Sequence, residues 1–401
     1  MPLLYKPDID QMVQRPLQPP EQTLLYALSA KTCFHMRGQN LQATGPDSWE
    51  LAGRFFLDAC EASRKTYDYV KGVSLYSVIS SFWMSTSSFE IKDDWKSSFY
   101  LEEALKFARG LRLHEESSYE SLSVSEALCR RRTFWQLFVT ERSLAIFRHQ
   151  DILLRKAPSL PTTSHPYEEP DIAAGFLQLI STYQPLDESF VRAWNDGPTA
   201  AVDINTFLNL QHILSQPPSF VSPQPNAYQP TTIQKADLLI TQQWLRLTVW
   251  KSLASRYPLT RQRQGRDESR RVTFPVDIAH RTASILTSLH PAAVQAHGMG
   301  ILEKVFQIGR AWVDVMGFYE MGSRRTTVSI DPLGVFIRTL SACPESEKVF
   351  AGVLMGLTRE KPGVLRGGLE YGLGGTATGI ESGEASRRRV VEEVEDDGDG
   401  P

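Results

Sequence analysis

Histidines, cysteines and glycine-rich turns often carry enzyme chemistry, and this chain arranges none of them in a catalytic pattern. His114 stands in the segment LHEE, but the second histidine of the zinc-binding pattern H-E-x-x-H does not follow. The glycine-rich run at 372–379, GLGGTATG, lacks the lysine of a phosphate-binding loop and opens no helical pattern. No G-x-S-x-G nucleophile elbow occurs. The sequence therefore predicts a protein that is not an enzyme.

The cysteines are spaced too widely for a metal site or a disulfide framework. Cys33, Cys60, Cys129 and Cys343 include no C-x-x-C pair. Such isolated cysteines are typical of buried, reduced thiols that pack as small apolar side chains. We expect no metal and no cofactor to be bound by the residues of this chain.

Charged residues instead stand out within one strongly apolar segment, EALCRRRTFWQLFVTERSLAIFRHQ at 126–150. On a helix, Arg131 and Arg142 lie next to the apolar stripe, and Glu141 is a neighbour of Phe134. A charge beside a packed face is costly unless it is paired. We therefore predict that Glu141 meets an arginine and that these residues form internal ion pairs; the alternative is that they bind a ligand.

Composition limits the location of the protein and its partners. The 401 residues are 41% hydrophobic and 22% charged, as in an ordinary globular protein, and the formal net charge is -3. No overall basic field would draw the chain to nucleic acid or to a membrane surface. No signal peptide or membrane-spanning run is evident, so we expect the nucleus or cytoplasm and no membrane partner.

The elements that must position the charged residues follow a helical period. In FYLEEALKFARGL, apolar residues recur on one face, Asp93 or Asp94 can cap the start, and Gly110 marks a nearby end. The segment 66–85 favours a buried helix, although its β-branched residues leave a strand open. Without βαβ alternation, the predicted fold class is all-α: a multi-helix domain with proline-rich connectors and a disordered C-terminal tail.

Composition shifts divide the chain. Four prolines make 153–171 an extended connector that should cross the surface. The predicted divisions are an N-terminal linker-like segment (1–20), an N-terminal helical part (21–213), a proline-rich connector (214–232), a C-terminal helical part (233–359) and a disordered tail that is glycine-rich and then acidic (360–401).

At the level of residue identity, the succession from EEALKFARGLRLHEE through RRRTFWQLFVTERSLA to LP at 160–161 resembles the central regulatory region of fungal binuclear zinc-cluster transcription factors. It is most similar to the branch of maltose and starch utilisation activators. KADLLITQQWLRLTVW and VTFPVDIAHR resemble later helices of the same branch, so that the resemblance covers roughly residues 20 to 320. The motif positions, which we expect to be structural, are His114, Glu126, Arg131, Arg132, Phe134, Trp135, Glu141 and Arg142.

The resemblance implies a helical domain that represses or releases an activation surface in response to a small-molecule inducer. Its expected partners are other transcription regulators or coactivators, and its expected location is the nucleus. The target genes are left open between carbohydrate utilisation and a secondary-metabolite cluster. The contrasting hypothesis is a helical effector-binding or scaffold protein outside transcription.

The six-cysteine DNA-binding module that such factors carry near the N-terminus is absent from these 401 residues. Two explanations stay open: a family member without the module, acting as a coregulator, or a gene model that omits an upstream exon. Zinc is expected only if such a module exists, and DNA would be reached only through it or through a partner.

Two further sets of residues are candidate sites. A pocket for an effector would be sought on the helices that bear Trp135 and Trp244, although core packing explains both tryptophans as well. A basic stretch that could contact phosphates or serve as a nuclear import signal contains Arg261, Arg263, Arg266, Arg270 and Arg271. The competing interpretation of that stretch is a solvated loop diluted by acidic residues.

Overall fold

The computed structural model describes residues 2–37, 48–199, 202–218, 228–260, 268–316 and 330–359. Within these ranges the chain folds into α-helices and short helical turns without any β-strand. The first nine helices are Lys6–Met12 (α1), Pro19–His35 (α2), Trp49–Arg64 (α3), Leu75–Glu90 (α4), Asp94–Gly110 (α5), Val124–Arg148 (α6), Pro170–Tyr183 (α7), Glu188–Asp196 (α8) and Ile204–Ser215 (α9). The others are Thr232–Ala254 (α10), Phe274–Ser288 (α11), Pro291–Gln295 (α12), Met299–Met316 (α13), Pro332–Ser341 (α14), Pro344–Ser346 (α15) and Gly352–Arg359 (α16).

Local signals fix where the main helices begin. The side chain of Asp93 accepts the N–H of Lys96 at 3.0 Å and caps α5, which ends at Gly110. Ser123 caps α6 in the same way. Each such cap satisfies an otherwise unpaired N–H and is worth about 1 kcal/mol. The predicted cap and end of α5 are thereby confirmed.

The long helices α6 and α10 lie at the centre of the molecule. Helix α6 contacts α4, α5, α7 and α8, and α10 contacts α7, α9, α11, α12 and α13. Buried residues occur all around both helices rather than along one stripe. Because these helices have little water-facing surface, their polar side chains must find partners inside the protein.

The main hydrophobic core is continuous from the N-terminal segment at Leu3 to α16 at Leu354. Helices from both sides of the 214–232 connector contribute to it. A smaller cluster around Cys60 and Met84 fills the space among α2, α3, α4 and α5. The all-α prediction is confirmed over the described residues, and the four cysteines are free, with all but Cys343 buried.

Two ambiguous segments are resolved. The strand alternative for 66–85 is wrong, because α4 occupies 75–90 with a capping box at Ser74. The predicted helix is also wrong for residues 66–74, which form turns before this cap. The connector at 153–171 is largely extended, as predicted, up to the start of α7, but the side chains of Leu154, Pro158 and Pro161 are buried rather than lying over the surface. The proline-rich 214–232 is described only at its two ends, and 360–401 lies outside the described residues.

Candidate regulatory site

The chain segment 151–169, between α6 and α7, is held along its length by polar side chains of α6, and we call it the strap. Glu141 makes the central contact. One carboxylate oxygen accepts the N–H of Leu153 at 2.5 Å, and the other accepts the N–H of Leu154 at 3.2 Å. The glutamate is 3% exposed. Its position near the packed face therefore serves to bind main-chain donors of the strap.

Arg142 binds main-chain oxygens from the same face of α6. Its Nη2 donates to the carbonyl of Leu154 and its Nε to the carbonyl of Leu186, both at 3.1 Å. The distance from Arg142 Nη1 to the nearest Glu141 oxygen is 3.5 Å, so the two residues form the predicted internal pair. Burial raises the pKa of Glu141 and lowers that of Arg142 to about 10. Main-chain hydrogen bonds, which sequence reasoning missed, offset part of the cost of burying these charges.

Arg132 fixes the far end of the strap. Its two Nη atoms donate to the two carboxylate oxygens of Glu168, each at 2.5 Å, and Arg132 is fully buried. Burial alone would raise the pKa of Glu168, but the hydrogen bonds and charge of Arg132 hold that pKa below its usual value. Glu168 also accepts the N–H of His165 at 2.9 Å. Glu168 was not among the predicted site residues, because nothing local distinguishes it from other acids in the connector.

The middle of the strap is bound by two further α6 residues. Trp135 Nε1 donates to the carbonyl of Ser159 at 3.1 Å. Arg131 forms an ion pair with Glu116, and that carboxylate also accepts the N–H of Ser159 at 2.9 Å. One side of α6 thus positions the strap from its first residues to its last.

The other motif residues are not brought to the strap. His114 is half-buried, with its Nε2 3.3 Å from a carboxylate oxygen of Glu115. Glu126 accepts two hydrogen bonds from Arg130 in the first turn of α6. Phe134 is fully buried and packs edge-on against Trp135.

A second feature is a partly open cavity of about 190 Å³ where α2, α4, α5, α6, α7, α10 and α13 meet. Helix α6 presents Gln136, Thr140 and Ser143 to it, a polar stripe at spacings of four and three residues. Asp237 of α10 and Lys304 of α13 also line it. The stripe is visible in the sequence of α6, but periodicity alone does not show what it faces.

An ion pair and two hydroxyls form one wall of this cavity. Lys304 Nζ donates to Thr241 Oγ1 at 2.6 Å and lies 3.4 Å from Asp237 Oδ1. Although burial opposes both charges, the lysine lowers the pKa of Asp237, while Tyr183 and Asp237 raise that of Lys304. The hydroxyls of Tyr183 and Ser143 are 2.5 Å apart. The wall is therefore polar, charged and internally neutral.

The two tryptophans proposed as pocket residues do not share one pocket. Trp244 is fully buried, donates from Nε1 to Gln307 at 2.8 Å, and does not line the cavity, although its ring packs against that of the lining residue Phe147. Trp135 borders a separate groove beside the strap together with Arg155 and Arg192. The helices that bear them, α6 and α10, do line the cavity, but through other residues.

The basic stretch is only partly described. Arg261, Arg263 and Arg266 lie outside the described residues. Arg270 and Arg271 are half-buried, and Arg270 Nη2 is 3.5 Å from the carbonyl of Pro258. The role of this stretch in nuclear import or phosphate contact stays a prediction.

Neither a metal site nor a membrane span is found in the described parts of the chain. No group of three or more histidine, cysteine, aspartate or glutamate side chains there is arranged to hold a metal ion. The described residues therefore offer no set of ligands for the zinc ions that a six-cysteine module would bind. None of the helices described is long and apolar enough to cross a bilayer.

Over the described residues, the fold and the site define a helical domain with a strap held by α6 and a partly open cavity beside that helix. The chain belongs to the family described as the fungal specific transcription factor domain, whose family model matches residues 1–253. This match confirms the family that the sequence motifs indicated. No solved structure is significantly similar to the chain.

Among characterised proteins, the chain is similar to regulators of sugar utilisation. It is 24% identical to the probable sucrose utilization protein SUC1 of Candida albicans, over 65% of this chain and 50% of that protein. It is 25% identical to the maltose fermentation regulatory protein MAL13 of Saccharomyces cerevisiae, over 74% of this chain and 60% of that protein. The respiratory transcription factor ZNF1 of the same yeast is 23% identical, over 66% and 55%. The chain thus spans about half to three-fifths of the length of these relatives.

Proposed function

We propose that this chain is the regulatory domain of a nuclear transcription regulator that controls sugar-utilisation genes. The observation that carries the proposal is the family match over 1–253, which includes the whole of α6 and the strap it holds. The names of the relatives, which include sucrose and maltose regulators, favour carbohydrate genes over a secondary-metabolite cluster.

The strap supports a regulatory rather than catalytic role. Side chains of α6 bind main-chain groups of the strap, and Arg142 also binds the carbonyl of Leu186 between α7 and α8, so that α6 contacts both the strap and the helices that follow it. Regulation requires an element with two arrangements that a ligand or partner can bias. The strap, extended and bound mainly by side chains, is the element we assign to that task.

The partners we propose are other transcription regulators or coactivators, and the proposed effector is a small molecule. DNA would be reached through such a partner or through a zinc-containing module linked to this domain. The alternative, a helical effector-binding or scaffold protein outside transcription, makes a different prediction for expression.

The test is deletion of the gene in its native fungus, with transcripts measured during growth on glucose, maltose and sucrose. We expect transporter and glycoside hydrolase transcripts to change on the disaccharides and to recover when the gene is restored. A fluorescently tagged copy should accumulate in nuclei. Unchanged transcripts on all three sugars, with a protein that stays outside nuclei, would reject the proposal in favour of the scaffold alternative.

A further inference from the structure

We propose that the partly open cavity lined by α6, α10 and α13 is a binding site for a neutral, polyhydroxylated molecule of about a dozen heavy atoms, the size of a monosaccharide or a sugar alcohol. Its role as the effector site rests on the proposed function, whereas binding itself can be measured on the purified chain. Three properties of the cavity support this assignment: its size, its unpaired polar groups and its balance of charge.

Size sets the first limit. The cavity volume is about 190 Å³. Since one water-sized occupant needs roughly 10–15 Å³ measured in this way, the space accepts on the order of a dozen heavy atoms. Drug-sized ligands occupy pockets of about 300–1,000 Å³. A disaccharide, with about twice the atoms of a monosaccharide, would not lie wholly within this space.

Unpaired polar groups set the second limit. Ser97 is 2% exposed and lines the cavity, and its Oγ has no hydrogen-bond partner in the described structure. The side chains of Gln136 and Thr140, one turn apart on α6, are half-buried at the cavity and form no side-chain hydrogen bond within the described residues, so water or a ligand can bind them. The buried Ser97 hydroxyl has lost its hydrogen bonds to water and gained none in return. Hydroxyl and amide groups that both donate and accept match a ligand with several hydroxyls.

The charges of the cavity are already balanced. Lys304 is neutralised by Asp237, and Lys31 Nζ lies 3.6 Å from a carboxylate oxygen of Glu90. A ligand with a net charge would therefore gain no net electrostatic attraction from these two ion pairs. Asp237 uses Oδ1 for Thr241 and Lys304, and its side chain is 21% exposed, so that Oδ2 can accept a ligand hydroxyl.

Aromatic faces complete the lining. Phe89 and Phe147 both border the cavity, with ring centroids 6.5 Å apart and planes inclined by 28°. Sites for small molecules combine such apolar surface with a few polar groups that fix orientation. The C–H faces of a sugar ring offer the matching apolar surface.

The test is isothermal titration calorimetry on the full chain with glucose and sorbitol. Maltose is the control for size, glucose 6-phosphate the control for net charge, and proline the control for a small zwitterion without hydroxyls. We expect saturable one-to-one binding of glucose or sorbitol that is tighter than binding of the three controls. Thr140→Val keeps the side-chain shape and removes the hydroxyl, and it should weaken binding by about 3- to 10-fold, the worth of one neutral hydrogen bond. Gln136→Leu is the second variant and should weaken binding by a similar factor.

Thr182→Val is the matched control, because that hydroxyl bonds the carbonyl of Gln178 within α7 and does not line the cavity. Circular dichroism of each variant checks that it is folded. The proposal is overturned if neither polyol binds at up to about 10 mM, if only proline or glucose 6-phosphate binds, or if binding survives both cavity substitutions unchanged. Failure of the transcriptional role would appear separately, as unchanged transcripts after gene deletion in a protein that still binds the polyol.

Discussion

Replacing Arg132 with methionine tests whether buried charge holds the strap. The substitution keeps an unbranched side chain of similar length but removes both hydrogen bonds to Glu168, each 2.5 Å long in the wild type. The side chain of Glu168 is 5% exposed and would be left with the N–H of His165 as its nearest donor. Breaking a buried pair by removing one partner costs about 3–5 kcal/mol, and we expect a loss of free energy of unfolding in that range.

The size of this loss should depend on pH. Since Arg132 holds the pKa of Glu168 below its usual 4.5, the pair contributes stability above about pH 4.5 and loses it as pH falls through the folded-state pKa. The difference between wild type and variant should therefore be largest near neutral pH and shrink in acid. The double variant Arg132→Met/Glu168→Leu should recover part of the loss, because an apolar pair leaves no unpaired charge.

The assay is urea unfolding followed by far-ultraviolet circular dichroism, combined with trypsin cleavage under native conditions. The strap carries exposed Arg155 and Lys156, so its release should speed cleavage there before the whole domain unfolds. Arg130→Met is the control: its pair with Glu126 lies at the surface of the same helix and is worth about 0.3–0.5 kcal/mol. An Arg132→Met protein that unfolds within about 1 kcal/mol of the wild type, with the strap cleaved no faster, would refute the role assigned to this pair.

Three other predictions concern single sites. Glu141→Gln removes the charge that accepts two strap N–H groups and should cost about 2–3 kcal/mol in urea unfolding; an unchanged midpoint would contradict its burial. Lys251 has its pKa lowered from 10.5 to about 8, chiefly by burial, so wild-type stability should rise between about pH 8 and 10.5 while the folded form alone is deprotonated. The Lys251→Met variant should lack that part of the rise, and at pH 7 its free energy of unfolding should exceed that of the wild type by about 2–3 kcal/mol. A variant less stable than the wild type at pH 7 would contradict the cost assigned to burying the charge. The backbone φ of Gly298 is 63°, and a Cβ added there would lie only 2.4 Å from the Glu90 carboxylate, so Gly298→Ala should lower the melting temperature. Gly110→Ala is the control and should not lower it, because a Cβ at Gly110 would meet open space.

Local sequence signals account for the helices and their ends. Asp93 and Ser123 are capping residues placed just before helical periods, and the interactions they make involve residues only three positions away. The family motif of α6 is recognisable for the same reason, since its residues follow one another along a single helix. The ambiguity at 66–85 arose because β-branched residues suit a buried helix and a strand alike, and packing among α2, α3 and α5 decided between them.

The sequence by itself determined the all-α class, the start and end of α5 and the presence of costly charges near the packed face of α6. It did not determine what those charges bind, since a helical period shows which side is buried but not what lies against it. Only the tertiary structure joined Glu141 to main-chain donors of the strap and Arg132 to a glutamate 36 residues away. The cavity likewise exists only where helices distant in sequence meet, because Gln136, Asp237 and Lys304 become neighbours through packing alone.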